Sequence, residues 1–189
     1  MSRSAGFAVV VLLLASACST NAGVQPLCRD PYDSASILIL EAQAVPSATQ
    51  LPCIAELPIG WRFSGSQIDD AGATLWLDHD RAGIRAVEVG LTESCDVSTA
   101  VEVPPGPDEL GMRVYQDPES LDPFVGSRFS VFDGGCIVTR YRFADGSEPA
   151  LVVEADRAVS TVARRDLVVG VAEELQLTLC GAEAPPCPG

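Results

Sequence analysis

The hexapeptide Asp78-His79-Asp80-Arg81-Ala82-Gly83 carries the sole histidine of the 189-residue chain between two carboxylates, and three kinds of chemistry fit such a cluster. As a calcium loop, Asp78 and Asp80 would stand at the first and third ligand positions and Gly83 at the sixth-position turn of an EF-hand-type loop. The match then fails, because Ala82 occupies the fifth position and Val89 the twelfth, where a bidentate Glu is needed. Asp78 and Asp80 are therefore weak metal candidates. As an acid/base site, His79 would need both neighbours to orient its ring, yet successive residues of a strand point to opposite faces. The simplest reading is a polar hairpin loop joining two strands, Ala73 to Asp78 and Arg85 to Thr92.

Other catalytic templates have less to stand on. A serine triad would have to use His79, and no Gly-x-Ser-x-Gly elbow presents a serine to it. No glycine-rich loop leads to a lysine, so a phosphate cradle is absent. Zinc is disfavoured by the single histidine and the lack of any Cys-x-x-Cys pair. Paired carboxylates for hydrolysis are too abundant to be specific in a chain with 26 acidic residues. Trp61 and Trp76 could stack on a ligand, but aromatic residues on strands belong more often to the core. Arg164-Arg165 before Asp166 reads as a solvated helix junction. No catalytic residue and no cofactor is assigned.

The cysteines say more. Seven is an odd number for a chain whose bridges would form in an oxidising compartment. The first, Cys18, follows an eleven-residue apolar run from Phe7 to Ala17, too short to span a bilayer and right for the core of a secretory signal. Leu14-Ala15-Ser16-Ala17-Cys18 resembles a bacterial lipobox. That resemblance implies cleavage of a signal peptide over residues 1–17, a lipid such as palmitate carried on Cys18, and attachment to the outer face of the cell membrane. Residues 18–27 would then be a tether, and 28–189 a single globular domain with a Pro-rich tail. Removing Cys18 leaves Cys28, Cys53, Cys95, Cys136, Cys180 and Cys187, enough for three bridges. Cys95 with Cys136 is favoured, since both sit at the ends of strand candidates. The other four pair either locally, Cys28 with Cys53 and Cys180 with Cys187, or so as to tie the termini together.

Charge narrows the partners. A net charge of −14 disfavours nucleic acid and anionic lipid headgroups. All twelve basic residues are Arg, which fits high-GC codon usage at least as well as anion recognition.

The elements that position these residues read as strands first and helices last. A short helix is expected from Asp33 or Ser34 to about Ala44, ended by Pro46. Six segments have strand composition: Trp61 to Ile68, Ala73 to Asp78, Arg85 to Thr92, Gly111 to Asp117, Gly126 to Phe132 and Ile137 to Phe143. The last two alternate as strands with one buried face do, and Asp133-Gly134-Gly135 between them is the clearest hairpin turn. After Ser147, a candidate N-cap, the residues Leu151, Val152, Ala155, Ala158, Val159 and Val162 fall at helical spacing and predict one amphipathic helix. A further helix follows Asp166 to about Leu175, and Gln176 to Leu179 either extends it or forms a last strand. The expected fold class is α+β: an antiparallel meander of five to six strands, with two or three helices on one face and disulfide staples.

Ala44-Val45-Pro46-Ser47-Ala48, Leu51-Pro52-Cys53, Gly60-Trp61, Asp80-Arg81-Ala82-Gly83, Cys95-Asp96-Val97 and Gly134-Gly135-Cys136 together resemble uncharacterised actinobacterial envelope proteins, over roughly Ala42 to Cys180. That resemblance implies lineage and an exported setting. The expectation that follows is a membrane-anchored, non-enzymatic envelope module that binds a protein partner or an apolar ligand through its sheet or a sheet–helix cavity. The alternative is an extracytoplasmic hydrolase using acidic residues.

Overall fold

Alternation of apolar and polar residues builds most of this molecule. The computed structural model describes residues 25–29, 35–117, 120–121, 123–148 and 150–187. The signal segment, Cys18 and the N-cap expected at Asp33 or Ser34 lie outside these residues. In chain order come α1 (Ala35–Ala44), β1 (Gln50–Ile54), β2 (Trp61–Asp69), β3 (Gly72–His79), β4 (Gly83–Thr92) and β5 (Val101–Val103). A 3-10 turn (Pro107–Glu109) leads to β6 (Arg113–Gln116), β7 (Ser120–Leu121), β8 (Phe124–Phe132) and β9 (Gly135–Arg142). The chain closes with α2 (Leu151–Ala158), β10 (Val159–Ala163) and α3 (Arg164–Glu174).

The six expected strands all form, and the fold is α+β. The main sheet runs β2-β3-β4-β9-β8-β6-β5, antiparallel throughout, so seven strands stand where five to six were expected; β7 pairs with the start of β8. The extra strand of that path, β5, is only three residues long and exposed, too brief for alternation to announce it. The meander breaks once. After β4 the chain crosses to the far edge and returns through β5, β6 and β8, so that β9 docks beside β4 with Thr92 opposite Cys136.

The helices and a second, two-stranded sheet of β1 and β10 share a core with the main sheet. Leu75 and Leu77 of β3, Val87, Val89 and Leu91 of β4, and Tyr141 of β9 meet Leu38 of α1, Leu51 of β1, Leu151 of α2 and Leu167 of α3. On the opposite face, Tyr115, Phe129, Cys136 and Val138 form a smaller cluster with Cys95, Val97 and Ala100. Strands β8 and β9 are thus covered on both faces, not on one as their alternation suggests. The second cover is the segment after β4, pinned by the Cys95–Cys136 bridge with Cα atoms 5.9 Å apart.

Several boundaries differ from the sequence reading. Helix α2 stops at Ala158, and Val159 to Ala163 pairs antiparallel with β1, Ile54 facing Val159 and Gln50 facing Ala163. The β-branched residues Val159, Thr161 and Val162 suit a strand at least as well as the helical spacing they also satisfy. Ser147 is not the cap: Ala150 precedes the first helical turn, and the Ser147 hydroxyl donates to the Arg81 carbonyl at 3.2 Å. Gln176 to Leu179 is neither helix nor strand. Residues 25–27 run beside β1, with the Ile54 amide donating to Pro26 O at 2.6 Å, so they belong to the folded body rather than to a free tether.

Arg164 is the largest correction at a single position. It is fully buried, and its Nη1 donates to Ala42 O at 2.8 Å and Val45 O at 3.3 Å while Nη2 donates to Cys180 O at 2.5 Å. A helix ends with carbonyls that have no partner within it; this guanidinium satisfies that of Ala42 in the last turn of α1 and that of Val45 just beyond it, and ties the C-terminal segment to them. Arg165, next to it, is solvated as expected.

Candidate functional site

The layer between the main sheet and the α2–β10 hairpin is not filled evenly. Along β3 and β4 the inward positions are Leu and Val, but the same cross-strand row continues into Thr139 of β9 and Arg128 of β8. Polar side chains there do not close the gap against α2, and a cavity of about 310 Å³ remains. Its sheet side is Arg128, Ser130, Ile137, Thr139 and Tyr141; the opposite wall is Val153, Asp156 and Arg157 of α2 with Val159, Ser160 and Thr161 of β10. The 3-10 turn closes one end with Gly106 to Glu109.

Glu109 is the best-held group of the site. One carboxylate oxygen accepts from Arg128 Nε at 2.9 Å and Ser130 Oγ at 2.7 Å; the other accepts from Arg128 Nη2 at 2.5 Å and the Gly106 amide at 2.8 Å. Burial alone would push this carboxyl up, but the donors from Arg128, Gly106 and Ser130 outweigh it and hold Glu109 below the usual carboxylate range. A paired guanidinium and carboxylate with both charges satisfied is how a half-buried ion pair survives next to an apolar wall. Arg128 has five N–H donors, and Nη1 is not spent on Glu109.

Asp156 behaves in the opposite way. Solvent reaches it through the cavity, yet the surrounding protein removes enough water to raise its carboxyl above the usual range, against the hydrogen bond from Tyr141 Oη and the nearby Arg128. The site therefore couples apolar surface from Ile137, Val153 and Val159 to an ion pair at one end and a Tyr–Asp pair on the wall.

None of the residues singled out from sequence lines this cavity. The Asp78–Gly83 segment is the β3–β4 hairpin loop, with His79 opposite Gly83. His79 is buried at 3% exposure, and its Nδ1 accepts from the amides of Arg81 at 3.2 Å and Ala82 at 3.1 Å. Its ring lies 4.6 Å from that of Trp61, and a Cβ on Gly60, which has φ +91°, would come within 2.7 Å of Nε2. The histidine thus caps one turn and braces another. Asp78 and Asp80 both face Arg62, at 3.4 and 2.6 Å, so a guanidinium supplies the positive charge between them. Among the described residues no group of three or more His, Cys, Asp or Glu is arranged to hold a metal ion. Trp61 is core, its Nε1 donating to Glu154 at 3.2 Å; Trp76 lies on the outer face beneath the Arg85 guanidinium.

The bridges are Cys28–Cys53, Cys95–Cys136 and Cys180–Cys187, the local solution of the two left open by sequence. Such a set of bridges belongs to an extracytoplasmic, oxidising setting. No protein-family model, curated protein or solved structure matches the chain. Among the described residues no helix is long and apolar enough to cross a membrane.

The site residues escaped sequence reading because their signal is one of parity. Arg128 and Ser130 share a face with Ile137 and Tyr141 once β8 and β9 pair, and a charge on that inward face is the mark of a site. The remaining parts, residues 106–109 and 153–161, come from distant segments and carry no motif.

Proposed function

We propose that this protein is an exported lipoprotein, anchored through Cys18 at the extracytoplasmic face of the membrane, whose folded part is a non-enzymatic binding module. Its ligand is a small molecule with an apolar body and one polar end, held between the main sheet and the α2–β10 hairpin. The observation that carries the reading is the cavity itself. Its volume is near the lower end of the range typical of small-molecule pockets, about 300 to 1,000 Å³. Apolar side chains line it on two sides, and Arg128 Nη1 and the hydroxyls of Ser160 and Thr161 offer polar contacts.

A hydrolase reading draws on Glu109 and Asp156, two carboxyls pushed apart in one cavity as acid and base pairs are. Against it, the two oxygens of Glu109 already accept four hydrogen bonds, which leaves no lone pair to attack a substrate or take a proton from water. A binding module is the reading that uses the geometry as it stands.

The test is titration of the mature protein with Nile red, a neutral apolar dye, alongside Val153→Trp. Val153 is 54% exposed on the cavity wall, so the larger ring fills space without disturbing the core. Saturable dye binding that weakens about tenfold or more in Val153→Trp is expected, the loss of one well-buried apolar group's worth of contact. Equal binding by both proteins would place the dye elsewhere and remove the support for this site.

A further inference from the structure

Two isoleucines stand in water at one end of the main sheet. Ile59, at the tip of the loop before β2, is fully exposed, and Ile84, in the β3–β4 hairpin, is 81% exposed. The loops that carry them are fastened together: the Asp80 amide donates to Gly60 O at 3.1 Å, and His79 caps the hairpin while packing against Gly60. Neither tip is free to fold back into the core. The Asp78–Gly83 segment thus serves as a rigid mount for apolar residues.

Two further observations indicate what covers them. Residues 25–28 run beside Ile54 and are bridged by Cys28 to Cys53, six residues before Ile59 along the chain. Six residues lie between Cys18 and Gln25, seven Cα steps with a reach of at most about 25 Å. A lipid on Cys18 therefore keeps the root of the Ile59 loop close to the bilayer. Ion pairs also lie beside the tips, one Arg62 guanidinium shared by Asp78 and Asp80, and Arg81 with Glu148, which lowers the cost of bringing those charges to the headgroups.

We propose that the Ile59 and Ile84 tips dip into the headgroup and acyl boundary of the membrane and fix the orientation of the anchored domain. This rests on the anchor reading above. With a net charge of −14 the chain has no electrostatic attraction to anionic lipid, so the contact is apolar and insensitive to salt.

The experiment does not depend on natural acylation. Cys18 is the one cysteine outside the three bridges, so the mature chain can be coupled there through a maleimide phospholipid to phosphatidylcholine vesicles with or without brominated acyl chains. Trp76→Phe in every sample leaves Trp61, two residues from Ile59, as the reporter. Brominated lipid is expected to quench Trp61, equally at low and high salt. The quenching is lost in Ile59→Asp/Ile84→Asp and kept in Leu110→Asp, an exposed apolar residue of the loop before β6, away from these tips. An unquenched parent protein, or identical quenching in both charge variants, would overturn the proposal and leave the tips to a protein partner. The mass of Cys18 in protein extracted from its own membranes tests the anchor separately: absence of an acyl group there removes the lipoprotein reading, whatever the quenching shows.

Discussion

Glu41 lies wholly inside the core on α1, and neither of its carboxylate oxygens has a hydrogen-bond partner. Burial therefore pushes its carboxyl well above the usual range. The consequence for stability has a definite sign. Below the ordinary carboxyl value of about 4.3 the group is protonated in folded and unfolded chains alike, and nothing is lost. Above it the unfolded chain releases the proton while the folded one retains it, so stability falls as pH rises, until the folded value is passed. Glu41→Met is expected to stabilise the protein by about 1–3 kcal/mol at pH 7, the penalty of an unpaired buried polar group, and to flatten the decline of stability above roughly pH 4.3. Urea unfolding of both proteins at pH 4 and pH 7 reads this. A variant less stable at pH 7, with the decline unchanged, would show that Glu41 has a partner in solution.

At the scale of elements, the disulfides differ in what they constrain. Cys95–Cys136 closes 41 residues and holds the cover over Phe129 and Val138; Cys180–Cys187 closes seven near the C-terminus. Loop-closure entropy predicts a loss of about 4 kcal/mol when the first pair is replaced by serines and about 2 kcal/mol for the second. Comparable midpoints for the two double variants in urea would mean that the chain-entropy account does not hold here. The first bridge was legible because the two cysteines end neighbouring strands, and six strands were legible from β-rich composition, with clean alternation in β8 and β9. Strand β10 was not. Val159 and Val162 satisfy a helix's spacing and a strand's composition together, and only the partner β1, more than a hundred residues earlier, decides between them. Short β5 and β7 lack the length for any period to show. Arg164 looked solvated because a charge in an Arg-Arg pair at a helix start ordinarily is; the orphan carbonyls at the end of α1 that it serves are a tertiary fact.

Taken whole, the molecule places its two unusual surfaces on different elements. The cavity opens between β8–β9 and α2–β10, while the isoleucine tips stand at the β3–β4 hairpin end of the main sheet. A domain seated on its tips would hold the cavity toward the end of the sheet away from the bilayer, since Ile137 and Ser130 lie level with Leu91 and the 3-10 turn adjoins Leu110. The histidine cluster, the most chemical-looking stretch of the sequence, caps one turn and braces another, while the cavity is lined by residues that carry no motif. Binding of a small molecule in the cavity is the central proposal. Native mass spectrometry of the protein purified from the cells that make it tests it most directly. The account predicts a protein mass accompanied by one small ligand, which is absent from Val153→Trp prepared in the same way. A bare parent protein, or the same adduct on both, would contradict it.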